Sequence, residues 1–221
     1  MVQEGKSSCI LFLSGWSMDP GPFRSITAID HDLLMVYDYR LVDPSTIIKL
    51  TENYDSLHLV AWSMGVWIAG RFFTAYRDQF TSTTAVNGTL APIDDQCGIP
   101  PKAFYAMIND FSSTVLDKFY RDMFNQQEQA ERFLNNKPDR SPESILAELQ
   151  TLQSMYHELG PGDDIFDYKL VGSRDRIFPA RSQLQSWGKE NCKRIKTAHF
   201  PFYDWPSWDL IIDGGYRASC D

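Results

Sequence analysis

Ten residues, His58-Leu59-Val60-Ala61-Trp62-Ser63-Met64-Gly65-Val66-Trp67, constrain this chain more than any others. They read as an apolar strand, a small-x-Ser-x-Gly turn and the start of an amphipathic helix. The helical part continues to Tyr76, with Val66, Trp67, Ile68, Phe72, Phe73 and Tyr76 at helical spacing. A serine on a sharp strand-to-helix turn requires small residues two before and two after it. Ala61 and Gly65 meet that demand, with Ala61 where glycine is more usual. Such a turn lifts the hydroxyl above a sheet, at a helix N-terminus whose partial positive charge favours an anion. Ser63 is therefore the candidate nucleophile.

The rest of the chain supplies a sheet for this turn. Short apolar runs bounded by turn residues occur at Cys9–Leu13, Leu33–Tyr37, Leu57–Trp62, Thr83–Asn87, Asp167–Val171 and Arg194–Ala198. Continuous apolar runs are what strands covered on both faces show. Helix-length segments such as Pro44–Asn53 lie between some of them, which implies βαβ units and an α/β, doubly wound, mostly parallel sheet. The alternation stops after Asn87-Gly88. Pro92, Gly98, Pro100 and Pro101 read as loop, and helical patterns follow. One carries Val115, Leu116, Phe119, Tyr120, Met123 and Phe124 on a face. Another starts at Ser141 as N-cap with Pro142 behind it and carries Ile145, Leu146, Leu149, Leu152 and Tyr156. The expected organisation is a core of residues 1–92 and 161–221, with a helical lid inserted at 93–160.

A serine hydroxyl needs a base, and the base needs an orienting carboxylate. In this layout the chain order is serine, acid, histidine. His31 and His58 precede Ser63, and His157 falls within the helical insertion. His199 alone follows the final strand candidate, on a loop reading His-Phe-Pro-Phe. The acid belongs on the loop after the preceding strand, where Asp175 follows Gly172-Ser173-Arg174. Asp163, Asp164 and Asp167 lie before or within that strand, at its wrong end. Two backbone N–H groups are needed for an oxyanion: that of Met64, after the nucleophile, and one from the loop Ser14-Gly15-Trp16, where Trp16 is the expected donor and Gly15 lets the chain turn. Trp16 and Trp62 are candidate walls of a substrate channel.

Composition narrows the partners. The formal net charge is −8, from 21 Lys plus Arg and 29 Asp plus Glu, which argues against nucleic acid or an anionic membrane as partner. No run of about 18 apolar residues exists to span a bilayer, and the first apolar run is too short for a secretory signal. The four cysteines, at 9, 97, 192 and 220, have no metal-ligand or redox spacing and read as thiols of a cytoplasmic protein. No metal and no cofactor is expected.

Further runs share one resemblance. Ser14-Gly15-Trp16, Tyr37-Asp38-Tyr39-Arg40, Ala61-Trp62-Ser63-Met64-Gly65-Val66-Trp67, Asn87-Gly88-Thr89, Pro92-Ile93-Asp94 and Gly98-Ile99-Pro100 occur in this order. Together they resemble the BioG-type pimeloyl-acyl-carrier-protein methyl ester esterases, a compact branch of the α/β-hydrolases, over about residues 9 to 210. The resemblance implies Ser63, Asp175 and His199 as the triad. It also implies a step of biotin biosynthesis in which a methyl ester is removed from a carrier-bound acyl chain. An acidic carrier protein calls for a basic docking surface. The insertion carries nine acidic residues against six basic ones between Lys102 and Glu158, so only a local cluster of Arg132, Lys137 and Arg140 offers one. Two alternatives keep the fold: an esterase or thioesterase of other short acyl groups, and a non-catalytic relative that binds a ligand.

Overall fold

The six apolar runs pair into one sheet, and every neighbouring pair is parallel. The computed structural model describes residues 4–215; Cys220 lies outside them. The strands are β1 (Ser8–Leu13), β2 (Asp32–Val36), β3 (Ser56–Trp62), β4 (Ser82–Val86), β5 (Tyr168–Gly172) and β6 (Lys193–Ile195). Their order in the sheet is β2-β1-β3-β4-β5-β6. The chain winds one way from β1 to β2 and the other way from β3 onward. The β1/β3 boundary is thus the topological switch point, where crevices open above the carboxyl ends of the strands. Leu13 pairs with Ala61 there, so the Ser14–Trp16 loop and Ser63 emerge side by side.

Burial follows the apolar runs. Cys9 to Leu13 are all at 0% exposure, and β3 is buried from Leu57 to Trp62. Cys9 is enclosed deeply enough that burial pushes its thiol up to about 12, which removes it as a nucleophile. On one side of β1 an aromatic cluster gathers Phe12, Phe23, Phe200, Phe202 and Trp208 at ring separations of 4.7–6.0 Å.

Helices α1 (Pro44–Lys49), α2 (Met64–Phe72) and α7 (Ala180–Trp187) belong to the α/β framework. Asp43 caps α1 by accepting the Thr46 N–H at 3.2 Å. Helix α2 ends four residues short of the periodic pattern, and Thr74–Gln79 continues as 3₁₀ turns. The Gly70 carbonyl, which an unbroken helix would offer to Thr74 N–H, accepts the Asp163 N–H at 2.8 Å and the Thr74 hydroxyl at 2.9 Å. Strand β6 is also shorter than its apolar run, because the carbonyls of Ala198 and His199 turn to the Asn87 amide.

Between β4 and β5 the chain holds α3 (Pro101–Asn109), α4 (Ser113–Asp122), α5 (Gln127–Leu134) and α6 (Pro142–Leu159). Ser141 caps α6 by accepting the Ser144 N–H, with Pro142 in the first turn, as its sequence demands. Helices α3 and α5 are additions to the sequence reading. The Pro100-Pro101 pair conceals α3, although Pro101 sits in the first turn, where a missing N–H costs nothing.

At the amino end of the sheet lies a second set of polar groups. His58 Nδ1 donates to Ser82 Oγ at 2.8 Å, and Ser82 donates to the Ile212 carbonyl. The His58 ring meets that of His31 at 5.1 Å, and His31 bonds Asp209 at 2.7 Å. Burial, then the neighbouring His31, holds the His58 pKa below its ordinary 6.5, against an opposing pull from Asp213. The unfolded chain therefore takes up this proton first. The stability is present above about pH 6.5 and is lost as pH falls towards the lower folded value. Thermal melts from pH 7.5 to 5 should show a falling midpoint. His58→Gln should flatten that slope, and an unchanged slope would assign it to other groups.

Candidate active site

The four loops at the carboxyl edge of β1, β3, β5 and β6 converge on one point. Ser63 occupies the elbow between β3 and α2 with φ 58° and ψ −125°, a left-handed conformation rare for a residue with a side chain. Its N–H bonds the Val86 carbonyl at 3.0 Å, which holds the elbow to β4. Gly65 is obligatory for packing: a Cβ there would lie 2.3 Å from the Leu13 carbonyl oxygen and 2.5 Å from that of Ser14. Gly15 is favoured by a milder form of the same crowding. Its Cβ would stand 3.0 Å from Ser63 Cβ, and its φ is not positive, so close approach explains this glycine and turning freedom does not.

His199 Nε2 lies 3.1 Å from Ser63 Oγ, and His199 Nδ1 lies 2.8 Å from Asp175 Oδ2. All three side chains are buried, with His199 at 1% exposure. Asp175 is fixed on all sides. Its Oδ1 accepts the N–H groups of Ile177 and Phe178, at 2.8 and 2.9 Å, and its Oδ2 also accepts Gln183 Nε2 at 3.0 Å. A carboxylate that only accepts leaves Nδ1 as the donor and Nε2 free to accept from Ser63. The structure thus brings together the three residues expected from chain order.

The histidine is held by its own backbone. Its carbonyl accepts Trp62 Nε1 at 2.8 Å and Asn87 Nδ2 at 2.9 Å. Asn87 also accepts the Gly172 N–H at 2.6 Å, so one buried amide ties the ends of β4 and β5 to the His199 loop. This role was invisible in the sequence, although Asn87 stood in a quoted motif; its φ of 47° reflects the tight turn there. Trp62 departs from expectation. It is 1% exposed and packs against His199, Phe200 and Phe202, so it supports the histidine and is not among the residues lining the cavity above Ser63.

Above Ser63 lies a cavity of about 160 Å³. Its walls are mainly apolar: Trp16, Phe104, Met107, Phe119, Leu149 and Ile177, with Arg176 as the charged member. The slot is small beside the roughly 300 Å³ or more of a typical drug-sized ligand site. Helices α3, α4 and α6 all contribute to it. Phe124 and Leu152 do not: Phe124 packs on Phe133 and Phe200, and Leu152 is fully buried. Among the described residues, nothing accepts a hydrogen bond from the N–H groups of Trp16 or Met64.

The cations expected to meet a carrier are mostly engaged. Arg140 is a correction: its side chain is 7% exposed, bonded to Glu148 at 2.6 Å and facing Asp38 at 3.3 Å. A guanidinium buried in that pair is unavailable to a partner. Arg132 lies 3.9 Å above the Tyr203 ring and donates to Ser25, while Lys137 faces Asp117 at 3.3 Å and stays half exposed.

Glu148, on α6, escaped the sequence reading. It is 0% exposed and accepts the N–H groups of Tyr39 and Ser17, at 3.1 and 3.2 Å. Burial pushes its carboxyl above the ordinary range, while Arg140 and the two N–H groups pull the other way.

A parallel sheet with this switch point, a serine on the elbow after its third strand and a histidine after its last defines an α/β-hydrolase. Within that class the chain belongs to the BioG family, described as pimeloyl-ACP methyl esterase BioG, whose model matches residues 1–211. It is similar to the crystal structure of BioG from Haemophilus influenzae, with TM-score 0.81 and 30% identity, covering 96% of this chain and 98% of that one. It is 35% identical over 199 residues to a malonyl-[acyl-carrier protein] O-methyltransferase of Bacteroides fragilis (strain 638R). That match takes in 90% of this chain but only 40% of the relative's length. An uncharacterized protein of Haemophilus influenzae is 34% identical over 207 residues, covering 92% of this chain and 94% of its own. Among the described residues, no helix is long and apolar enough to cross a membrane.

Proposed function

We propose that this chain is a serine carboxylesterase that hydrolyses the methyl ester of pimeloyl-acyl-carrier protein through an acyl-enzyme on Ser63. The observation that carries the reading is the hydrogen-bonded line Ser63–His199–Asp175 at the floor of an apolar slot. Ser63 Oγ attacks the ester carbonyl carbon while His199 Nε2 takes its proton. The Trp16 and Met64 N–H groups receive the oxyanion. The carbon–oxygen bond to the methoxy group then breaks, and His199 returns the proton to release methanol. Water, deprotonated by His199, attacks the acyl-enzyme and frees Ser63 and the acid.

In this reading residues 93–160 form a lid on the core of 1–92 and 161–221. Trp16 is the part of the expected channel wall that meets substrate. A methyl ester is small enough for the slot, and the acyl chain behind it runs along Phe119, Leu149 and Met107 towards the carrier. The Bacteroides fragilis relative, named as a methyltransferase on a carrier-bound acid, fits this assignment: putting a methyl ester on such a chain and taking it off concern the same group.

Comparing kcat/KM on methyl pimeloyl carrier protein with that on a short p-nitrophenyl ester tests the assignment. The carrier-bound ester should be preferred. Arg132→Glu with Lys137→Glu should lower kcat/KM for it by about fivefold at low salt, and the loss should shrink at high salt. The small ester should be unaffected. Equal rates on both substrates would point to a general short-acyl esterase, and failure of Ser63 to react with a fluorophosphonate would point to a binding protein.

A further inference from the structure

The loop that carries the Trp16 N–H is held from outside the core. Trp16 Nε1 donates to the Ile145 carbonyl at 2.8 Å, so its ring is tied to the first turns of α6. One turn further, Glu148 Oε2 accepts the Ser17 N–H at 3.2 Å, and Oε1 accepts the Tyr39 N–H at 3.1 Å. Arg140 closes the set, donating to Glu148 at 2.6 Å, to Ser144 Oγ at 3.2 Å and to the Met18 carbonyl at 3.2 Å. Tyr39 returns to the same loop: its hydroxyl donates to the Ser14 carbonyl at 2.7 Å. Burial and the Glu148 charge push that phenol well above its usual range, so it remains a donor.

The loop needs such support. Ser17 has φ 71° and Asp38, the neighbour of Tyr39, has φ 63°. Side chains seldom adopt that conformation unless surroundings impose it. Both N–H groups that Glu148 receives adjoin these strained positions: one is Ser17's own, the other follows Asp38. A rotation at Ser17 would swing the preceding peptide and the Trp16 N–H with it.

We infer that Glu148 is a positioning residue for ester hydrolysis: through Ser17 it aims the Trp16 N–H at the oxyanion, and so makes α6 part of the catalytic framework. The inference rests on the serine-esterase reading and deepens it. Helix α6 is then a fixed wall bearing Leu149 on the slot and Glu148 on the oxyanion loop. Helix α4 also meets this loop, with the Phe119 ring 5.0 Å from that of Trp16.

Three variants separate positioning from simple stabilisation. Glu148→Gln keeps shape but replaces one acceptor by a donor. Glu148→Asp keeps the charge beside Arg140 but withdraws it from Ser17 and Tyr39, so it covers the case in which the glutamine variant does not fold. Arg140→Lys leaves the Glu148 bonds to Ser17 and Tyr39 in place while weakening the ion pair and giving up the guanidinium's bonds to Ser144 and the Met18 carbonyl. With a p-nitrophenyl ester, the Glu148 variants should lose at least about tenfold in kcat, with KM within about twofold. Binding of a trifluoromethyl ketone, which places an oxyanion in the site, should weaken in parallel. Arg140→Lys should stay within about threefold of wild type in kcat despite a lower thermal midpoint. Folded Glu148 variants with wild-type kcat would overturn the inference, as would an Arg140→Lys variant that loses as much kcat as they do. Fluorophosphonate labelling of wild-type Ser63 is read separately: if it fails, the serine reading falls; if it succeeds while the Glu148 variants behave as wild type, only the positioning role falls.

Discussion

Ser63→Ala should lower ester turnover by roughly 10⁴-fold or more while leaving the thermal midpoint within a degree or two of wild type. In the proposed mechanism the hydroxyl is the attacking atom and its partners act as one unit, so the expected kinetic effect is large and not partly compensated. The stability effect is small for separable reasons. The hydroxyl makes one side-chain hydrogen bond, to His199, and a bond of that kind contributes only about 1 kcal/mol net. The strain at φ 58° is unchanged, since alanine carries the same Cβ as serine. The fluorophosphonate adduct should disappear with the hydroxyl. A folded Ser63→Ala protein that keeps near-wild-type rates would require a nucleophile elsewhere; buried Cys9 is unsuited to that role.

Much of this site was legible because its signals are local. The strand before Ser63, the small residues around it and the helix after it lie within ten consecutive residues. Chain order then chose His199 over three other histidines, and a strand followed by a glycine turn chose Asp175. Those arguments work because a parallel sheet puts the ends of its strands on one edge, so order along the chain becomes proximity in space. What stayed hidden depends on contacts that leave no local pattern. Glu148 stands among the charged residues of a helix and looks like any solvated carboxylate; its burial is set by Ser17 and Tyr39, more than a hundred residues away. Arg140 was read as an exposed cation for the same reason.

Trp62 shows a different limit. Its side chain follows from its position: in a strand covered on both faces, a residue next to the elbow is as easily under the sheet's edge as above it. The sequence carries no sign of which face receives it. Its indole N–H reaches the His199 carbonyl, so the residue helps to hold the His199 loop. Gly15 makes the same point about glycine, which looked like a turn residue and instead leaves room for the close approach of Ser63 and Trp62.

Asp175→Asn should cost nearly as much as loss of the nucleophile, about 10⁴-fold in kcat at neutral pH, with little loss of stability. The surroundings dictate how the new amide sits. Two backbone N–H groups, of Ile177 and Phe178, point at the Oδ1 position, so the amide oxygen must stay there. The NH₂ is then forced onto the Oδ2 position, facing His199 Nδ1 and Gln183 Nε2. Gln183 can adapt by turning its own amide, whose Oε1 has no partner among the described residues, at the expense of its bond to the Phe178 carbonyl. The imidazole has no such freedom. To accept from the asparagine, Nδ1 must be unprotonated, which puts the proton on Nε2, where it faces Ser63 and cannot take the hydroxyl proton. The base is thus present, correctly placed and in the wrong tautomer. Its signature is a collapsed kcat with an unaltered fold and nearly unaltered KM. An Asp175→Asn protein retaining more than a tenth of wild-type kcat would mean that His199 does not act through its bond to this carboxylate.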